Sequence, residues 1–142
     1  VLRFIELMRT NDNTDFYNPQ HVSGEIIRQQ LLRDGWSLQP KGDTDGPALE
    51  YAHPDYAGRV GLIMPYSKDF CSSCNRLRVS SRGELFLCLF ADQHQSLRGL
   101  LQQDDPAPVV AFLQRAILAK KETHALHQQR SGQTRHLAMI GG

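Results

Sequence analysis

The feature that most constrains this chain is the stretch from Phe70 to Cys88, which holds all three cysteines in the spacing Cys-x2-Cys-x13-Cys. A Cys-x-x-Cys loop lets two thiolates reach one metal centre without strain. A third ligand must then come from an element folded back onto that loop. Leu77–Ser81 and Glu84–Phe90 both read as strands joined at Arg82-Gly83, so a hairpin would return Cys88 to the Cys71–Cys74 loop.

Three thiols leave a choice of metals. Structural zinc takes four protein ligands, so zinc must recruit a histidine, and His94 lies nearest in sequence, six positions after Cys88. Without it, the set suits an iron–sulfur cluster with one iron open to a substrate atom. A redox Cys-x-x-Cys and three unrelated buried thiols are the plainer readings.

Arginines begin two residues after Cys74 and alternate with apolar residues. Arg76 and Arg78 therefore leave one face of a strand. Parallel guanidinium forks suit phosphate oxygens, each charge-assisted contact contributing about 1.5–3 kcal/mol. Two solvated strand residues are the plain alternative. Register decides where that face points. A two-residue Arg82-Gly83 loop sets Leu77 opposite Cys88. A three-residue Ser81-Arg82-Gly83 loop, with Gly83 left-handed, sets Arg76 opposite Cys88, and this is the register expected.

These residues carry a resemblance. Pro65-Tyr66-Ser67-Lys68-Asp69-Phe70-Cys71-x-x-Cys74-Asn75-Arg76-Leu77-Arg78-Val79 resembles the C-terminal cluster motif of the molybdenum cofactor biosynthesis protein A family, the radical SAM GTP 3',8-cyclases. The match continues through Cys88-Leu89-Phe90, Lys120-Lys121-Glu122-Thr123-His124 and the terminal Ile140-Gly141-Gly142. The resemblance implies a lyase that converts GTP to the cyclic pterin precursor of molybdenum cofactor. It implies a 4Fe-4S cluster on Cys71, Cys74 and Cys88 whose open iron binds GTP. Arg76 and Arg78 would hold the triphosphate, and the diglycine Gly141-Gly142 would reach into the active site. It further implies a second 4Fe-4S cluster, on an N-terminal Cys-x3-Cys-x2-Cys motif, that cleaves S-adenosylmethionine to start the reaction. The implied partners are the N-terminal radical SAM barrel of the same chain, a second copy in a homodimer, and the next enzyme of the molybdopterin pathway.

The rest of the chain is read around that core. It opens without methionine on Val1-Leu2-Arg3-Phe4-Ile5-Glu6-Leu7-Met8, a dense apolar strand of the kind buried on both faces of a parallel sheet. Such a strand has little reason to start a protein, so the sequence reads as a piece of a longer one. Glu6 sits at the strand end where barrel enzymes keep functional groups, or else it pairs with Arg3 or Arg9, or is a solvated carboxylate. Asn11–His21 reads as a polar loop. Ser23 caps a helix to about Arg33, with Ile26, Ile27, Gln30 and Leu31 on its buried face, and Trp36-Ser37-Leu38 starts another strand. Gln39–Pro47 reads as a linker.

Ala48–Tyr51 and Gly58–Met64 read as antiparallel strands around a His53-Pro54-Asp55 turn. His53 reads as surface, and Arg59 as ambiguous. Leu97, Leu100 and Leu101 mark a short helix. A second runs from Val109 to about Lys121, with Val110, Leu113, Ile117 and Leu118 inward. The stretch His124–Gln133 has too little apolar content for core. His124 and His127 could form a metal pair, although solvated residues are the plainer account.

The expected fold is α/β. Residues 1–46 are the end of a truncated TIM-like barrel, and 47–142 are a small antiparallel-sheet and helix region carrying the cluster and GTP. With 142 residues and a net charge of +1, nothing global argues for nucleic acid or an anionic membrane. No apolar run approaches a membrane span, and three cysteines without a secretory pattern point to the cytoplasm. All three cysteines being assigned, no Cys-x3-Cys-x2-Cys motif remains. These residues alone are expected to bind without turning over, and to leave apolar faces exposed.

Overall fold

The computed structural model describes residues 1–42, 45–72, 74, 76–124, 126–128, 130–132 and 134–140. They divide into two compact units, one of residues 1–8 and 15–74, the other of residues 9–14 and 75–142.

The first unit is a four-stranded sheet with helices on it. Its elements are β1 (Leu2–Ile5), α1 (Thr14–Gln20), α2 (Gly24–Arg33), β2 (Ser37–Leu38), β3 (Leu49–His53) and β4 (Tyr56–Ile63), with strand order β1-β4-β3-β2. β1 runs parallel to β4, with Leu2 opposite Val60 and Ile5 opposite Ile63. The other two pairings are antiparallel. Ser23 caps α2 as expected, its hydroxyl accepting the Glu25 amide. Tyr51, Leu62 and Met64 form the buried core, with Ile27, Leu31, Trp36, Leu49 and Val60 packed against it. Ile27 and Leu31 thus turn inward, whereas Ile26 and Gln30 of the expected buried face are exposed.

Two further expectations change here. Part of the Asn11–His21 stretch is helical, because Tyr17 and His21 close a turn (His21 N–H to Tyr17 O, 2.9 Å) and both rings pack with Tyr66. β1 does pair in parallel, but it is an edge strand: Leu2 and Ile5 are each 60% exposed, on opposite faces.

In the second unit β5 (Arg78–Val79), β6 (Glu84–Phe86) and β7 (Gln95–Ser96) form an antiparallel sheet in that order. Short helices follow: α3 (Arg98–Leu101), α4 (Ala107–Leu118) and 3-10 turns at Leu126–Gln128 and Leu137–Ile140. Leu85, Leu97 and Ala116 form the core, with Leu77, Leu87, Leu100, Phe112 and Leu113 around them.

The phase of α4 differs from expectation. Phe112, Leu113 and Ala116 face the core, while Val110, Ile117 and Leu118 are exposed, Leu118 to 87%. The helix is apolar almost all round, so periodicity admits both phases, and the bulk of Phe112 beside the core selects one. Just before α4, Asp105 Oδ1 accepts the Ala107 amide at 2.9 Å.

Candidate functional site

After β4 the chain coils through successive turns: Ser67 N–H to Met64 O, Phe70 to Ser67, Ser72 to Asp69, and Cys74 to Cys71 at 3.1 Å. Each closes on the residue three back, so Cys71 and Cys74 sit on one tight turn, both half-buried. They belong to the first unit, and Cys88 to the second. None of the three is disulfide-bonded. Among the described residues no group of three or more His, Cys, Asp or Glu is gathered as a metal site.

The hairpin that carries the arginines and Cys88 has the expected register. Arg78 pairs with Phe86 and Val79 with Leu85, and the turn closes through Gly83 N–H to Ser80 O at 2.9 Å. Gly83 has φ +73°, the left-handed conformation the three-residue loop requires. The Ser80 hydroxyl accepts the Glu84 amide at 3.2 Å, fastening the loop from within. The ladder stops at the Arg78–Phe86 pair, so the expected pairing of Arg76 with Cys88 is not formed. The Arg76 carbonyl accepts Lys120 Nζ at 2.9 Å, from just beyond α4.

The second strand of that hairpin is shorter than expected. It ends at Phe86, and Leu87–Phe90 bend away from β5. Cys88 lies in that bend, where its carbonyl accepts the Ala91 amide at 3.3 Å and its Sγ accepts the Phe90 amide at 3.4 Å. Further contacts take these residues out of the ladder. The Leu89 carbonyl accepts the Thr134 hydroxyl. Gly132 lies so close to the Phe90 and Ala91 carbonyls that a Cβ there would come within 2.5 Å of both oxygens.

Glu6 is buried and its Oε1 lies 3.0 Å from His21 Nε2, so its partner is neither Arg3 nor Arg9. Arg3 and Arg59 instead both reach Glu50, at 3.2 and 3.4 Å. His53, expected at the surface, is packed with Trp36 and Tyr56, and its Nδ1 accepts the Asp55 amide at 3.1 Å. His94 lies 3.2 Å from Glu84 and stacks on Phe86.

His124, expected in solvent, is buried instead. Its Nδ1 accepts the Leu126 amide at 3.2 Å, and its ring stacks on His127 and meets Phe90 edge-on. Leu126, Ser131 and Thr134 are buried with it. The expectation failed because composition alone does not register polar groups that find partners on burial. Gly141 and Gly142 lie outside the described residues. No described helix is long and apolar enough to cross a membrane.

The residues that sequence reasoning missed are Asn11, Gly132 and Thr134, whose contacts join segments more than forty residues apart. No local pattern signals such pairing.

The family model described as Molybdenum Cofactor Synthesis C matches residues 1–126. Over 99% of its length the chain is 54% identical to a protein named GTP 3',8-cyclase from Yersinia pestis. It is 52% identical to one from Actinobacillus succinogenes and 53% to one from Cronobacter sakazakii, again over 99%. It spans 44%, 42% and 43% of those relatives' lengths, less than half of each. On that match, the chain belongs to the Molybdenum Cofactor Synthesis C family.

Proposed function

We propose that this chain is the cluster- and GTP-binding part of a GTP 3',8-cyclase, the radical SAM enzyme that forms 3',8-cyclo-7,8-dihydro-GTP in molybdenum cofactor biosynthesis. The observation that carries the reading is the similarity to proteins named GTP 3',8-cyclase along 99% of the chain. Cys71, Cys74 and Cys88 would hold a 4Fe-4S cluster. The chemistry of the donors supports this: three half-buried thiols outside any disulfide, two of them on one tight turn. The amide hydrogen bond to Cys88 Sγ is of the kind that tunes cluster thiolates. When bound, the cluster supplies an iron without a cysteine ligand, able to accept a substrate atom.

The chain's own residues then have distinct tasks. Arg76 and Arg78 bind the triphosphate as paired forks, a role that guanidinium geometry suits. Lys120 holds the Arg76 backbone. Gly141 and Gly142 complete the active site, a role in which bare backbone approaches a ligand closely. Holding base and phosphates at opposite ends would leave the ribose presented for reaction. Residues 1–46 are proposed as the end of a TIM-like barrel and 47–142 as the cluster region. The exposed apolar edge at β1 supports a larger sheet that includes it. S-adenosylmethionine and its cluster would sit on that N-terminal barrel, so this chain alone binds without turnover. A homodimer and hand-over to the next molybdopterin enzyme complete the proposal.

The competing zinc module needs a histidine. His94, the nearest in sequence to Cys88, lies 3.2 Å from Glu84. The test is iron content after anaerobic reconstitution of the chain and of Cys71→Ser, Cys74→Ser and Cys88→Ser. The reading expects each variant to lose most of the iron and none to gain from added zinc. Full iron retention in the Cys88 variant would remove that residue from the ligand set.

A further inference from the structure

The bend that carries Cys88 is gripped by residues 131, 132, 134 and 135, which act as a strap. Asn11 anchors the strap from one side. Its Oδ1 accepts the Ser131 hydroxyl at 2.8 Å, its Nδ2 donates to Gly132 O at 3.2 Å, and its amide donates to Thr134 O at 3.3 Å. The Asp12 amide adds a bond to Arg135 O at 3.2 Å. On the other side the strap meets the bend: Thr134 donates to the Leu89 carbonyl, and Gly132 lies against the Phe90 and Ala91 carbonyls. Thr134 is fully buried and Ser131 nearly so, although neither is apolar. Gly132 takes φ +61°, so both its conformation and the space beside it exclude a side chain.

We infer that Thr134 and Gly132, braced by Asn11, are positioning residues for Cys88, fixing the bend from which its sulfur is presented. The Phe90 amide that donates to Cys88 Sγ belongs to the same bend, so the strap also fixes the donor that touches the sulfur. The hydrogen bond from buried Thr134 to Leu89 and close contact at Phe90 and Ala91 leave the bend little room to open. The inference rests on the cluster reading for the purpose of Cys88, but not for the restraint itself.

The test is the rate at which each cysteine is alkylated by iodoacetamide in the full, metal-free chain, resolved by mass spectrometry. Cys71 and Cys74 serve as internal controls. Thr134→Val keeps the shape and removes the donor. Its Cys88 rate should rise about three- to tenfold, the range for losing one buried hydrogen bond that limits local opening, with Cys71 and Cys74 unchanged. Thr134→Ser should restore the slow rate. Gly132→Ala, which sets a methyl against the two carbonyls, should accelerate Cys88 in the same selective way. After reconstitution, both accelerated variants should also lose iron to a chelator faster than the parent chain. Unchanged Cys88 rates, or a parallel rise at all three cysteines, overturn the inference. If the parent chain takes up no iron, the cluster reading fails while the alkylation result still decides the strap.

Discussion

Lys120 reaches the Arg76 carbonyl with its ammonium group, two residues before the first paired residue of the hairpin, Arg78. The segment after α4 is thus tied to the start of that hairpin, 44 residues away. If Arg76 and Arg78 hold a triphosphate, Arg76→Ala should weaken GTP binding about 10- to 100-fold, the equivalent of one or two charge-assisted contacts. Iron content should stay as it was. Isothermal titration of the reconstituted chain measures this, and unchanged affinity would remove the phosphate role. Lys120→Met leaves both guanidiniums in place, so it should cost less, about three- to tenfold. The Glu6–His21 pair belongs to stability. His21→Ala leaves a buried carboxylate without its partner and should cost about 2–3 kcal/mol in urea denaturation.

At the scale of elements, the hairpin depends on Gly83. Gly83→Ala forces a Cβ into the left-handed region and against Arg98, and should cost about 1–2 kcal/mol, read as a lowered urea midpoint. The phase of α4 is equally testable. Phe112→Ala should cost about 2–4 kcal/mol, whereas Ile117→Ala, on the exposed side, should change stability by less than about 1 kcal/mol. These two elements also mark the limit of what the sequence makes legible. The hairpin could be read because glycine at a turn restricts the loop to few geometries, and loop length then sets register. α4 could be located but not oriented, since Val110, Phe112, Ile117 and Leu118 offer apolar groups to several directions. The end of β6 and the burial of His124, Ser131 and Thr134 were not legible. They depend on partners such as Leu89 and Asn11 that only the folded chain brings near. Of the proposed site, residue types and spacing single out the cysteines and arginines, but not the contacts of residues 131, 132 and 134 with the Cys88 bend.

For the molecule as a whole, the first unit leaves Leu2, Phe4 and Ile5 exposed along an unpaired strand edge, with Val22 and Ile26 also uncovered. Apolar edges of this kind recruit other chains. Sedimentation should therefore reveal association that grows with concentration, relieved by Leu2→Lys with Ile5→Lys. A monomer at all concentrations would contradict this. The central claim, that the chain binds a cluster with an iron open to GTP, is tested most directly by titrating the anaerobically reconstituted chain with GTP. The cluster's absorption and electron paramagnetic resonance are followed together with the metal count. The account predicts about four irons per chain and a saturable change in the spectra on adding GTP. A colourless chain holding a single zinc, or a cluster whose spectra ignore GTP, would contradict it.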